Sequence, residues 1–228
     1  GNVTSIAKDA FHGNSVTTIP PFIKNLTFAE RSQCSSIGAN AFQDAQSLTS
    51  VIFPNSLKEI GSSAFFRCRY IGSSITFPSS LESIDSYCFY QCWSVPSFDI
   101  TNCEKLTTIS NGAFQECSTI TSIIIPDNVT FIDRYAFLSC NNLQSVDLSR
   151  CSQLATLGNI VFKNCTKLTS IHWNLPISYS TAITLGSEVF TNMPTGGTFK
   201  CSTAGVDLNA LKSWLESKGF PTGWTFTR

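Results

Sequence analysis

The sequence is short of charge: 13% of its 228 residues are Asp, Glu, Lys or Arg, roughly half the usual share. Fifteen of each sign leave a formal net charge of zero, so no global field draws in nucleic acid or an anionic membrane. A polynucleotide partner is excluded on that ground. No run approaches the roughly 20 apolar residues of a membrane-spanning helix, and no membrane insertion is expected of this segment. The opening Gly1-Asn2-Val3-Thr4 lacks the basic region and apolar core of a signal peptide. Phosphate-binding Gly loops, zinc-protease helices and nucleophile elbows are missing as well.

What is abundant is repetition. A small residue followed by Phe recurs at Phe11, Phe42, Phe65, Phe89, Phe114, Phe137, Phe162 and Phe190, at steps of 31, 23, 24, 25, 23, 25 and 28 residues. Other columns keep the same phase. Five residues before the Phe stands an aliphatic: Ile6, Ile37, Ile60, Ile84, Ile109, Ile132, Leu157 and Leu185. Three after it stands Cys in five consecutive turns, at Cys68, Cys92, Cys117, Cys140 and Cys165. A period of this length marks a stack of units, none of which buries its apolar face alone.

Each turn reads as one short strand and a tight polar return. Strands are predicted at 23–28, 48–53, 73–77, 95–100, 120–125, 143–148, 168–173 and 197–201, with apolar and polar residues alternating toward the strand end, as in Phe98-Asp99-Ile100. Period-two alternation gives one buried and one wet face. Short turns place Pro54, Pro78 or Pro126 after the strand, where a missing N–H is harmless because ladder pairing stops. Long turns carry two more residues, as between Ile100 and Leu106 or Leu148 and Leu154.

Two segments carry a family resemblance. Leu48-Thr-Ser-Val-Ile-Phe-Pro-Asn-Ser-Leu-Lys-Glu-Ile-Gly-Ser-Ser-Ala-Phe-Phe-Arg-Cys68 and Ile120-Thr-Ser-Ile-Ile-Ile-Pro-Asp-Asn-Val-Thr-Phe-Ile-Asp-Arg-Tyr-Ala-Phe-Leu-Ser-Cys140 resemble the BspA-like, Treponema-type class of leucine-rich repeats. The likeness runs over residues 3–201 and departs from the pattern at 15–22 and 177–183, where extra loop residues bulge out. It implies an α/β repeat solenoid, a right-handed superhelix with one parallel sheet and one short strand per turn. It further implies an extracellular or cell-surface location and a link with adhesion.

The first repeat is partial, since residues 3–11 match only the second half of a unit, and the chain is read as starting at a cut end. Repeats are assigned to 1–201, in about eight turns, and a C-terminal cap to 202–228. A helix over 207–218 is expected in the cap. Asp207 suits an N-cap, Leu208, Leu211 and Leu215 form one stripe, and Gly219 ends it. A last strand is expected at 224–226.

Cysteine chemistry has three readings. The column cysteines stand 23 to 25 residues apart, not in the close pairs of a metal site. Buried free thiols filling a small apolar slot are favoured, although strand spacing also permits bridges between adjacent turns. No metal and no cofactor is expected.

The wet side of the sheet is the candidate site. One column runs Thr27, Ile52, Thr76, Asp99, Ile124, Asp147, His172 and Lys200; its neighbour runs Asn25, Ser50, Ser74, Ser97, Ser122, Ser145, Ser170 and Thr198. Thr49, Ser50, Ile52, Asp99, Ser122, Ile124, Asp147, Ser170 and His172 are taken as partner-binding residues. Ser170, His172 and Asp147 do not make a hydrolase. A regular ladder uses up its own amides and leaves neither oxyanion donors nor a closed pocket. The expected function is non-enzymatic recognition, by a monomer, of an extracellular protein or glycan. A spacer within a larger surface protein is the structural alternative.

Overall fold

A computed structural model of the chain describes residues 3–13 and 23–228; the loop expected at 15–22 lies outside them. Coils stack along one axis, and their strands pair in parallel with the next turn. The front ladder comprises Asn25–Leu26, Ser50–Val51, Ile75–Thr76, Phe98–Asp99, Ser122–Ile124, Ser145–Asp147, Ser170–His172, Gly197–Lys200 and Trp224–Thr227. These strands are shorter than the alternation suggests, because only the residues around the central apolar position pair. Pairing is interrupted between Val51 and Ile75 and again between Asp99 and Ser122; at the first break the segment through Gly72 and Ser73 is one residue longer than the usual spacing after the Phe.

The reading of one sheet and one strand per turn is amended by a second ladder. It is made by the aliphatic column five residues before the Phe, in two four-stranded runs: Ser5–Ile6, Ser36–Ile37, Glu59–Ile60 and Ser83–Ile84, then Thr108–Ile109, Phe131–Ile132, Thr156–Leu157 and Thr184–Leu185. Each member is two residues long, too short for alternation to reveal. Its side chain of Ile or Leu points into the core, and its neighbour stays at the surface.

Around each Phe the backbone follows a third regular pattern. The residues two before and two after it have positive φ in nearly every turn: Asn40 and Asp44, Ser63 and Arg67, Tyr87 and Gln91, Gly112 and Glu116, Tyr135 and Ser139, Ile160 and Asn164, Glu188 and Asn192. Alternating the backbone hand in this way aims alternate N–H groups along the axis. At each interface, from the Phe11 turn to the Phe190 turn, three of them donate to the next turn. In the middle of the stack Ser63 donates to Ser86, Phe65 to Cys88 and Arg67 to Tyr90 at 2.8–2.9 Å. The amides between them close three-residue turns within their own coil, as Ala64 does to Gly61 and Phe66 to Ser63, and the next, Cys68, does so to Phe65.

The rings of Phe11, Phe42, Phe65, Phe89, Phe114, Phe137 and Phe162 form a stack with centroids 5.1–5.9 Å apart and planes within 14°. Phe190 leaves it and meets Phe220 edge-on at 4.9 Å. At the other end Phe11 is 41% exposed, whereas the rings from Phe42 to Phe162 are fully enclosed. Phe53, Phe77 and Phe98, from the strand ends, pack edgewise or tilted on the spine.

Beyond the repeats, Asp207 caps the helix Leu208–Ser217, accepting from the amides of Asn209 and Ala210. Leu211 and Leu215 are buried and continue the hydrophobic core of the coils. Gly219 at φ +85° turns the chain so that Phe220 is buried and Trp224–Thr227 pairs with Gly197–Lys200. The extra residues at 177–183 include a single helical turn, Tyr179–Ala182, whose Tyr179 ring lies 5.1 Å from Trp214 of the long helix. No helix among the described residues is long and apolar enough to cross a membrane.

Removing a ring from the middle of the spine leaves a void that two flanking coils fill poorly. Phe114→Ala is expected to cost about 3–5 kcal/mol, read as a fall in urea midpoint; a parental midpoint would show that the ring is not a core column. Ile160 is a β-branched residue at φ 65°, an outlier for its type. Ile160→Asn is expected to gain roughly 0.5–1 kcal/mol by relieving that strain, and an unchanged or lower melting temperature would refute the assignment of strain.

Candidate functional site

The register of the front ladder brings the sequence-predicted columns side by side. Ser122, Ser145, Ser170 and Thr198 are direct partners, as are Ile124, Asp147, His172 and Lys200. Thr76 pairs with Asp99 and Asn25 with Ser50. All nine candidate residues therefore lie along one side of the stack, with Ile124, Asp147 and His172 adjacent and Ile52 set apart several turns away. Ile52 is 63% exposed and Ile124 42%. Several of the polar members are engaged within the chain. Ser50 Oγ donates to Asn25 Oδ1 at 2.6 Å, Ser97 Oγ to Ser74 Oγ at 2.8 Å, and Thr49 Oγ1 to the Lys24 carbonyl at 2.9 Å.

The two aspartates have a structural task that spacing alone did not reveal. Asp99 Oδ1 accepts from the N–H and hydroxyl of Thr101, and Asp147 Oδ1 accepts from the N–H of Ser149. Both stand where a long return begins, and their carboxylates close the turn that Pro starts in short ones. The same Asp147 oxygen lies 3.7 Å from His172 Nδ1. Ser170 is on the His172 strand itself, so the three side chains belong to two neighbouring strands of one ladder.

A second surface escaped the sequence reading. On the flank where the positive-φ residues lie, Phe66, Arg67, Tyr87, Tyr90, Gln115, Tyr135 and Leu138 line a hollow of about 380 Å³. Phe66 and Tyr90 stack at 4.7 Å, and Tyr87 meets Tyr90 edge-on at 6.2 Å. Gly112 sits between the turns of Tyr87 and Tyr135; a Cβ there would come within 2.5 Å of the Tyr87 ring. The signal was available. The columns two before and one after the spine Phe are mostly polar, yet they hold Phe66, Tyr87, Tyr90 and Tyr135 within four consecutive turns.

A family model for the BspA type leucine-rich repeat region matches residues 4–144 and 84–202, in six copies. Among solved structures the chain is similar to the leucine-rich repeat protein of T. pallidum, with a TM-score of 0.65 and 22% identity over 96% of this chain and 85% of that one. It is also similar to a leucine-rich repeat protein from Bacteroides ovatus, with a TM-score of 0.52 and 22% identity over 99% and 66%. At that identity the two likenesses speak to the fold. No curated protein matches the chain.

The cysteines are structural. All ten are free thiols and all are buried. In five successive turns the column cysteine gives its S–H to the carbonyl of the previous turn's spine Phe: Cys68 to Phe42, Cys92 to Phe65, Cys117 to Phe89, Cys140 to Phe114 and Cys165 to Phe137, at 3.0–3.3 Å. Loop cysteines do likewise, Cys103 to Pro78 and Cys151 to Ile125. Burial raises the pKa of these thiols, to about 12 for Cys103, Cys151 and Cys165. Thiols held neutral in the fold ionise more readily once unfolded. Their contribution is whole below the ordinary thiol value and is lost as pH rises toward the folded values. Stability in urea should stay level from about pH 6 to 8 and decline above about pH 9. A thiol reagent at pH 8 should label the native protein slowly and all ten thiols in urea; prompt labelling of native protein would contradict the burial described.

Proposed function

The chain belongs to the BspA-type leucine-rich repeat family, and from that premise we propose that it is a non-enzymatic recognition module of the cell surface. In this reading a monomer holds an extracellular protein against its front ladder. The family is typically a surface module for protein binding or adhesion, and the repeat architecture offers a long rigid face to match. The observation that carries the reading is the exposure of Ile52 and Ile124 on a strand face otherwise made of hydroxyls and a few charged or amide side chains. Isolated apolar anchors within a hydrogen-bonding surround are the usual anatomy of a protein interface.

A catalytic reading lacks support on the same face. Asp147 and His172 are paired in register, but the amides around them serve the ladder, so no donor pair is left for an oxyanion.

The test is capture from extracellular matrix and serum proteins by immobilised protein, compared with the Ile52→Asp/Ile124→Asp double variant. Both side chains are at the surface, so the variant should fold, melting somewhat below the parent because residue 124 pairs in register with Asp147 and like charges opposite one another repel. Specific bands are expected to weaken at least tenfold, in line with loss of about 1.4 kcal/mol or more at an interface centre. Equal recovery by both proteins would remove the front ladder as the binding face.

A further inference from the structure

We propose that the aromatic hollow on the flank of the coils is a saccharide-binding site, separate from the front ladder. Its size, about 380 Å³, falls within the range of small-ligand sites, and its walls are the rings of Tyr87, Tyr90 and Tyr135. The electron-rich face of an aromatic ring attracts polarised C–H groups, which a pyranose presents on one side while its hydroxyls project around the rim.

The polar groups point the same way. Five buried side-chain polar atoms among the described residues have no hydrogen-bond partner; one, Arg67 Nε, belongs to the wall of the hollow, and another, Asn111 Oδ1, to a residue bonded to that wall. Arg67 lines the hollow, and Asn111 gives its amide N–H to the Tyr87 hydroxyl at 3.2 Å. Buried polar atoms without partners are costly in a fold. A hydroxyl-rich ligand supplies both donors and acceptors to such groups, and the Gln115 side chain on the hollow's wall adds one of each.

Other occupants fit less well. A peptide added as a strand needs free main-chain groups. Here the amides of Tyr87, Phe89 and Gln91 donate to the next turn, to Asn111, Ala113 and Gln115, and the amide of Gly112 to Arg134. A cationic ligand would seek open aromatic faces. Such a ligand would also meet the like charge of the Arg67 guanidinium, which lines the hollow and lies 5.0 Å from the Phe66 ring. The carboxylate of Glu116 is engaged, accepting from the Tyr90 hydroxyl and the Gln91 side-chain amide.

The pattern along the stack also limits the site. In the preceding turn the two columns hold Asn40 and Gln43, and beyond Leu138 they hold Ile160 and Lys163. Aromatic rings are thus confined to a length that suits one or two sugar rings and not an extended groove.

The experiment is a printed array of oligosaccharides spanning neutral, amino and acidic pyranoses, probed with the parent, Tyr135→Asn, Gln115→Ala and, as a control on the other face, Ile124→Asp. Asn tolerates the positive φ of position 135, so that variant should fold; a single cooperative melting transition above the assay temperature confirms it for all four. The expected result is binding to a defined subset of glycans that drops at least tenfold in Tyr135→Asn and Gln115→Ala and is unchanged in Ile124→Asp. No binding anywhere on the array, or binding that both flank variants retain, overturns the proposal. A displayed peptide library that yields ligands lost only in Tyr135→Asn would overturn it too, by assigning the hollow to a protein partner.

Discussion

The structure depends on alternate amides being turned toward the neighbouring coil. In an ordinary helix or strand the amides around the spine Phe would bond within their own element or to either side. With positive φ two residues before and after the ring, three N–H groups in each coil reach forward to carbonyls of the next. Residues other than Gly adopt that hand at a cost of about 1–2 kcal/mol each, and a hydrogen bond returns only about 0.5–1.5 net. Two strained residues against three bonds leave each coil near balance. The decision falls to the enclosed Phe, whose burial is worth about 1.5–3 kcal/mol. Hydrogen bonds fix the register of the stack, and the rings make the stack stable.

The same geometry accounts for cysteine in a position where Ala or Val would fill the slot equally well. Each spine carbonyl has two lone pairs. One takes the amide three residues on in its own coil, as when Phe65 accepts from Cys68, and the other takes the thiol of the following coil, as when Phe65 accepts from Cys92. Amides therefore link each coil to the one after it and thiols link it to the one before. A thiol is a weak donor, but it is small enough for the site and carries no charge at neutral pH because burial holds it protonated.

Much of this was legible in the order of residues. The Phe, aliphatic and Cys columns gave the coils and their phase, the strand alternation gave the wet face, and Asp207 with Gly219 gave the ends of the long helix. The second ladder was not legible, because two-residue strands such as Glu59–Ile60 have no room to alternate. The left-handed positions were hidden for a different reason. Gly marks one of them, at Gly112, and Asn or Asp a few more, such as Asn40, Asp44 and Asn164, but the rest carry Tyr, Ile, Arg, Gln, Glu or Ser, which no turn rule selects; there only the tertiary bonds enforce the hand. The break in the spine was hidden too, since Phe190 matches its column in sequence while its ring meets Phe220, 30 residues later, edge-on.

A backbone this regular shapes what the surface can do. Its amides and carbonyls are engaged coil to coil, so recognition has to come from side chains, and those fall into columns whose spacing the coils set at about 5 Å. On the front ladder the columns carry short hydroxyls, several of them tied to one another, with apolar anchors far apart, which favours a broad partner touched at several points. On the flank the side chains are rings, crowded into a few coils and opened by Gly112, which favours a small ligand held face to face. The two surfaces use the same coils and the same spacing. What separates them is side-chain chemistry, and the left-handed residues are what bring the rings together: Tyr87 and Tyr135 occupy equivalent positive-φ positions, and both line the same hollow.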